Sequence, residues 1–338
     1  MKRLISAIAL ALCVFGILPM NAAKPVLRFN SSGEFKILQF TDIHFTYQNP
    51  KADAALTCLK TLIAAEKPDF IILTGDVVTG KPAMEGLKTI LQPIVDSGIP
   101  FSITWGNHDA EQGVPEQELQ TAAEAYPTFV GKQTPGISGT SNYALPVMHS
   151  TGDSTAAVLW CIDSHQYSKV KGVKGYDYVY PDQIDWYMKT SEAFTKKHGG
   201  NPLPSLAFMH IPMPEYQQAS SAEGNPLYGT RTEVVCAPEM NSGLFSAMRA
   251  KGDVLGVFSG HDHDNDYITQ WKGIALAYGR NSAGTTTYRH IPGGNGARII
   301  ILKEGKREFS TYIRLTNGFS FYPVNYPTDL KIKMEDYY

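Results

Sequence analysis

Apolar positions along this chain come in short blocks, and the blocks alternate between two kinds. Residues 36–41 form a compact apolar run of strand length that stops at Asp42. Residues 52–66 then place Leu56, Leu59, Leu62 and Ile63 at the spacing of one helical face. Residues 70–74 are almost continuously apolar, as in a strand buried on both sides, and a helical stretch follows over 84–96. The run 101–105 predicts a third strand. Farther on, strands are expected at 156–162, 206–209 and 254–258, a helix at 182–196, and a strand pair at 297–302 and 309–315 turning over 304–306. Such alternation predicts an α/β fold, with parallel strands lying between helices. The stretches 131–154 and 212–238 read as loop-rich and are candidates for substrate-facing segments.

The polar residues gain meaning from where these runs end. Asp42-Ile43-His44, Gly75-Asp76, Gly106-Asn107-His108-Asp109, His210 and Gly260-His261-Asp262-His263 each follow directly on a predicted strand. Ligands of open α/β sheets bind along that carboxyl edge. Parallel strands would therefore bring residues as distant as Asp42 and His263 onto one rim, with glycines at 75, 106 and 260 allowing sharp turns. Taken singly, Asp42-Ile43-His44, Gly75-Asp76 and His210 say little, whereas Gly106-Asn107-His108-Asp109 is more specific and Gly260-His261-Asp262-His263 is the strongest short signal. An Asp and a His two apart recur by chance, and a lone His210 would ordinarily be a core histidine. In order and together they supply carboxylate, imidazole and amide oxygen ligands for two divalent ions.

Composition narrows the setting. The chain has 338 residues and a net charge of −2. Residues 1–23 read as a secretory signal: Lys2 and Arg3 open it, an apolar stretch runs over 4–18, and Asn21-Ala22-Ala23 offers a small-residue exit. That stretch is shorter than the roughly 18–20 residues a membrane span needs. No later segment has the length and apolarity to span a bilayer. The expectation is an exported protein, periplasmic or secreted, with one large domain over 24–338. Removing Lys2 and Arg3 takes the balance from −2 to −4, so no basic face for nucleic acid is expected. Cys58, Cys161 and Cys236 remain, allowing at most one internal bridge, and their plain reading is as buried small apolar residues.

At this point the chain resembles the calcineurin-like metallophosphoesterase superfamily, whose pattern is D-x-H, G-D, G-N-H-[DE], H and G-H-x-H. All five elements match, between residues 42 and 263. The resemblance implies a four-layer α/β/β/α sandwich of two mixed sheets flanked by helices. It implies that Asp42, His44 and His263 hold one metal, that Asn107, His210 and His261 hold the other, and that Asp76 bridges them. A narrower likeness runs through residues 40–45 and 210–215, Asn241-Ser242-Gly243, residues 260–267, Tyr278-Gly279-Arg280 and Gly296-Ala297-Arg298. It is to small phosphatases related to purple acid phosphatases. The purple enzymes themselves carry a ferric-iron tyrosine three residues after the bridging Asp, where this chain has Thr79. The two ions are therefore expected to be Mn, Zn, Fe or a mixture.

The expected reaction is hydrolysis of a small phosphate monoester by water activated between the ions. In the resemblance His108 matches the family's catalytic histidine, which would protonate the leaving alkoxide or stabilise the developing charge, and Asp109 would orient His108. Asn107 and His108 would also meet the substrate, and Arg280, after a strand and Gly279, could reach a phosphate oxygen or serve equally as a surface or structural arginine. Asp262 is expected to point away, while Asp264, Asn265 and Asp266 are either partners of the ligand imidazoles or ordinary loop residues. Tyr143, Tyr167, Tyr216 and Tyr228 are candidates to line the cleft, with packing as their default role. A phosphodiesterase on the same site and a non-catalytic metal- or phosphate-binding protein are the alternatives.

Overall fold

The computed structural model describes residues 24–331; the expected leader at 1–23 lies outside them. The elements run β1 (Glu34–Phe40), α1 (Asp53–Glu66), β2 (Phe70–Thr74), α2 (Ala83–Ser97), β3 (Phe101–Thr104), α3 (Glu116–Glu124), β4 (Tyr143–Met148), β5 (Thr155–Cys161) and α4 (Pro181–Lys197). Then come β6 (Ser205–Phe208), α5 (Glu215–Ser221), α6 (Leu244–Lys251), β7 (Val254–Ser259), β8 (Ile268–Trp271), β9 (Ile274–Tyr278), β10 (Gly296–Lys303), β11 (Phe309–Leu315) and β12 (Ser320–Tyr326).

Two six-stranded mixed sheets result, ordered β12-β11-β10-β1-β2-β3 and β4-β5-β6-β7-β9-β8. In the first, β1, β2 and β3 are parallel and β10 joins β1 antiparallel. In the second, β5, β6, β7 and β9 are parallel, with β4 and β8 antiparallel at the two edges.

Alternation along single strands explains the layering. On β1, Phe35 and Ile37 pack toward the second sheet with Phe70, Ile72, Phe208 and Phe258, whereas Leu38 and Phe40 pack on α1 and α2 through Leu59, Leu62 and Leu87. On β5, Leu159 and Cys161 enter the inter-sheet core, while Val158 and Trp160 face Tyr187 of α4 and Met248 of α6. The central strands of both sheets are thus buried on both faces, giving helices, sheet, sheet, helices. Each large apolar side chain buried this way contributes about 1.5–3 kcal/mol.

Polar side chains fasten the two sheets at one end. Gln39 of β1 donates to the Ser259 carbonyl of β7. Arg298 of β10, fully buried, donates to the carbonyls of Tyr278 and Asp266. These ties sit where β1, β2, β3, β6 and β7 end, and there the polar clusters emerge.

Candidate metal centre

Backbone pairing continues past the strands and sets the ligands. The Asp42 amide donates to the Gly75 carbonyl and the His44 amide to the Asp76 carbonyl, so the segments after β1 and β2 run side by side. In these segments Asp42, His44 and Asp76 take left-handed backbone, with φ of 49°, 45° and 49°, as does His261 after β7, with φ of 80°. Non-glycine residues there cost about 1–3 kcal/mol each and persist where their surroundings hold them, often at functional sites. The glycines serve two purposes. Gly75 turns with φ of 84°. Gly106 has no positive φ; its hydrogen leaves room for neighbours, because a Cβ there would overlap Asp76 Oδ1 and lie 2.8 Å from His210 Nε2.

The structure gathers Asp42, His44, Asp76, Asn107, His210, His261 and His263 at one buried locus. Asp42, His44, Asp76 and His263 form one group of ligand atoms, and Asp76, His210 and His261 a second, each within 4.8 Å. Asn107 joins the second through Oδ1, 3.2 Å from His210 Nε2. Asp76 belongs to both: its Oδ2 lies 3.5 Å from His44 Nε2 and 3.3 Å from His210 Nε2. The imidazoles are aimed. His210 Nδ1 is 2.8 Å from the Thr74 carbonyl and His263 Nδ1 is 3.0 Å from that of Tyr288, so each Nδ1 carries the hydrogen and Nε2 faces inward.

These residues fit two cations. His44 Nε2 and His263 Nε2 meet at 3.1 Å, and buried Asp76 Oδ2 and His261 Nε2 have no hydrogen-bond partner. Native interiors seldom leave such atoms unmatched without an ion or water to meet them. The electrostatics agree. Burial holds His44 down to about 3, against the pull of Asp76, and burial with the His210 charge holds His261 far below its usual range. Both are neutral and present lone pairs. Burial lowers His210 too, but the Asp76 charge beside it outweighs burial and raises it to about 10. Burial raises Asp42. It also works against the Asp76 charge, but His210 and His44 overcome it and keep that carboxyl well below the usual range. Metal binding at His210 would compete with its proton.

The family comparison decides the identity: residues 35–265 match the calcineurin-like phosphoesterases. The chain belongs to that family. This calcineurin-like phosphoesterase is 33% identical over 333 residues to "Probable inactive purple acid phosphatase 29" of Arabidopsis thaliana, covering 89% of this chain and 85% of that one. It is 32% identical over 339 residues to "Phosphatase DCR2" of Saccharomyces cerevisiae, covering 90% of this chain and 57% of the relative. Among solved structures it is similar in fold to a dimetal phosphatase from Danio rerio, with a TM-score of 0.59, 12% identity, and coverage of 88% and 99%. The two mixed sheets flanked by helices are the architecture the resemblance implied.

Two expected roles are corrected. The Asp109 carboxylate does not orient His108; it accepts the backbone amides of Val77, Val78 and Gly106 and braces the turn after β2. Burial and the nearby Asp76 charge push Asp109 up to about 7 despite these bonds. The residue on the His108 ring is Glu111, with Oε2 2.6 Å from Nδ1. Burial lowers His108, but the Asp76 charge and the Glu111 hydrogen bond outweigh it and raise its pKa. Arg280 does not face the rim either. It is buried, paired with Asp266 at 2.7 Å, and donates to the Pro292 and Gly294 carbonyls.

The loop residues sort similarly. Asp262 turns to the Tyr278 hydroxyl and the Cys236 amide. Asp264 binds His290, Asn265 accepts the amides of Thr232 and Glu233, and Asp266 holds Arg280, so none supports a ligand imidazole. Tyr143 and Tyr216 are buried, and the Tyr228 hydroxyl bonds the Asp329 carbonyl. Tyr167 reaches the centre, accepting from Asn107 Nδ2 at 3.1 Å. Sequence reading missed Glu111, Tyr176 and Tyr288. Tyr176 meets His261 edge-on at 4.3 Å between ring centroids, and Tyr288 stacks on His263 at 4.2 Å. Among the described residues Cys58, Cys161 and Cys236 are free.

Proposed function

We propose that the chain is an exported phosphatase that hydrolyses small phosphate monoesters at a dinuclear metal centre. The observation that carries this is Asp76, whose unpartnered, buried Oδ2 is shared by two groups of ligand atoms. Asp42, His44 and His263 would hold one ion, Asn107, His210 and His261 the other, and Asp76 both. Bound there, two cations would supply Lewis acidity, lowering the pKa of a water and offsetting phosphoryl charge. Mn, Zn and Fe suit these nitrogen and oxygen donors. Thr79 stands where the purple enzymes have their iron-binding tyrosine, which argues against a ferric-tyrosinate centre.

The remaining chemistry belongs to side chains at the rim. His108 is half-buried, its ring 5.4 Å from that of His44, and it is available to protonate the leaving oxygen. Tyr176 and Tyr288 wall the centre beside His261 and His263 and would limit which esters enter. The narrower likeness to small purple-acid-phosphatase relatives favours monoesters. Export rests on the pattern of residues 1–23. Among the described residues no helix is long and apolar enough to cross a membrane.

The test is hydrolysis of p-nitrophenyl phosphate beside bis(p-nitrophenyl) phosphate by protein of residues 24–338 reconstituted with Mn, Zn or Fe. Preference for the monoester is expected. Activity on the diester alone would reverse the assignment, and inactivity with every metal would overturn the catalytic reading.

A further inference from the structure

We propose that Glu111, assisted by Tyr167, is the positioning residue that holds His108 as proton donor to the leaving group; this rests on the phosphatase reading above. The carboxylate can only accept, so the 2.6 Å contact between Glu111 Oε2 and His108 Nδ1 places the hydrogen on Nδ1 and turns Nε2 to the reaction. The backbone favours the pairing. The Glu111 amide donates to the His108 carbonyl, so the two side chains leave the same side of one turn.

A second strand of hydrogen bonds keeps the carboxylate in place. Its Oε1 accepts the Tyr167 hydroxyl at 2.8 Å, and that hydroxyl accepts Asn107 Nδ2 at 3.1 Å. With Nδ2 so occupied, Asn107 presents Oδ1 toward His210 Nε2. One tyrosine from a distant loop thus fixes both a member of the metal centre and the carboxylate behind the catalytic histidine. Asp109, the nearer acid in sequence, is held by three backbone amides and cannot serve.

The contact contributes little to the fold. The His108 and Glu111 side chains are 37% and 36% exposed, and ion pairs that open to solvent add at most about 1 kcal/mol. Its geometric definition therefore points to the reaction. As the oxygen of water bonds to phosphorus, the ester P–O bond breaks and its electron pair leaves on the alkoxide oxygen. That oxygen takes the Nε2 proton of the doubly protonated His108 ring, leaving the Nδ1 hydrogen donated to Glu111, and the proton released by the water restores Nε2–H.

The test compares Glu111→Ala and Tyr167→Phe with the parent protein on two monoesters, p-nitrophenyl phosphate and β-glycerophosphate. The alkyl ester needs a proton at its leaving oxygen far more than the aryl ester does. Glu111→Ala should lose kcat on β-glycerophosphate by about tenfold or more beyond its loss on p-nitrophenyl phosphate, with two metals retained. Tyr167→Phe should show the same bias more weakly. A second readout uses metal-free protein labelled with 15N-histidine, the His108 signals being assigned by their loss in His108→Ala. The parent should show His108 protonated on Nδ1, and Glu111→Ala should shift those signals. Equal losses on both esters, a stronger bias in Tyr167→Phe, or unmoved His108 signals would each overturn the proposal. Failure of the parent protein to hydrolyse either ester would instead sink the phosphatase reading, and the nitrogen shifts would still decide whether Glu111 holds His108.

Discussion

Replacing Arg280 by Met separates a phosphate-binding arginine from one that holds the fold. The Arg280 and Asp266 side chains are 3% and 1% exposed and meet at 2.7 Å. Methionine would fill much of the volume and remove the charge, leaving the Asp266 carboxylate with the Thr230 amide as its remaining hydrogen-bond donor. Stranding one member of a buried ion pair costs about 3–5 kcal/mol. The Pro292 and Gly294 carbonyls also lose their donor, but these residues lie toward the surface where water can replace it, so they add little. The expected loss is therefore about 3–5 kcal/mol in urea unfolding at neutral pH, with KM for p-nitrophenyl phosphate changed by less than about threefold. Adding Asp266→Asn removes the stranded charge and should restore about 2 kcal/mol. A loss below about 1 kcal/mol with KM raised about tenfold would refute this reasoning and return Arg280 to the substrate.

The centre yields further expectations. Asp76→Asn replaces a shared carboxylate by an amide, and elemental analysis should find fewer than two metals per chain, with kcat reduced by at least about 100-fold. His108→Ala should keep both metals and lose about 10²–10⁴ in kcat, full activity being the contrary result. Gly106→Ala would drive a methyl into Asp76 and against His210 Nε2, so metal affinity measured by competition with a chelator should fall at least about tenfold. Removing the metals with a chelator should lower the thermal midpoint, because ions that bind the folded centre stabilise it by mass action; an unchanged midpoint would argue against binding.

What could be read from the sequence follows from where each element lies. Strands β1, β2, β3, β5, β6, β7, β10 and β11 announce themselves as apolar runs because most are buried on both faces. Three of the four edge strands were not anticipated: β4, β8 and β12. Two of them carry prolines, Pro146 and Pro323, which edges tolerate and centres do not, and β12 is mostly exposed. β4 therefore looked like part of a loop-rich stretch, and α5 was hidden in another. The ligand set was legible because each member stands just beyond a strand. The role of Arg280 was not, because its partner Asp266 becomes adjacent only when β9 packs beside the loop before β8. Glu111, Tyr176 and Tyr288 were obscure for the same reason: loops deliver them, and no periodicity marks where a loop folds back.

The most direct measurement is a crystal structure of the metal-loaded protein with anomalous scattering recorded at the metal edges. The account predicts two peaks flanking the Asp76 carboxylate, about 3.5–4 Å apart, one beside Asp42, His44 and His263 and the other beside Asn107, His210 and His261. A single peak, or peaks elsewhere with the Asp76 carboxylate unliganded, would contradict it.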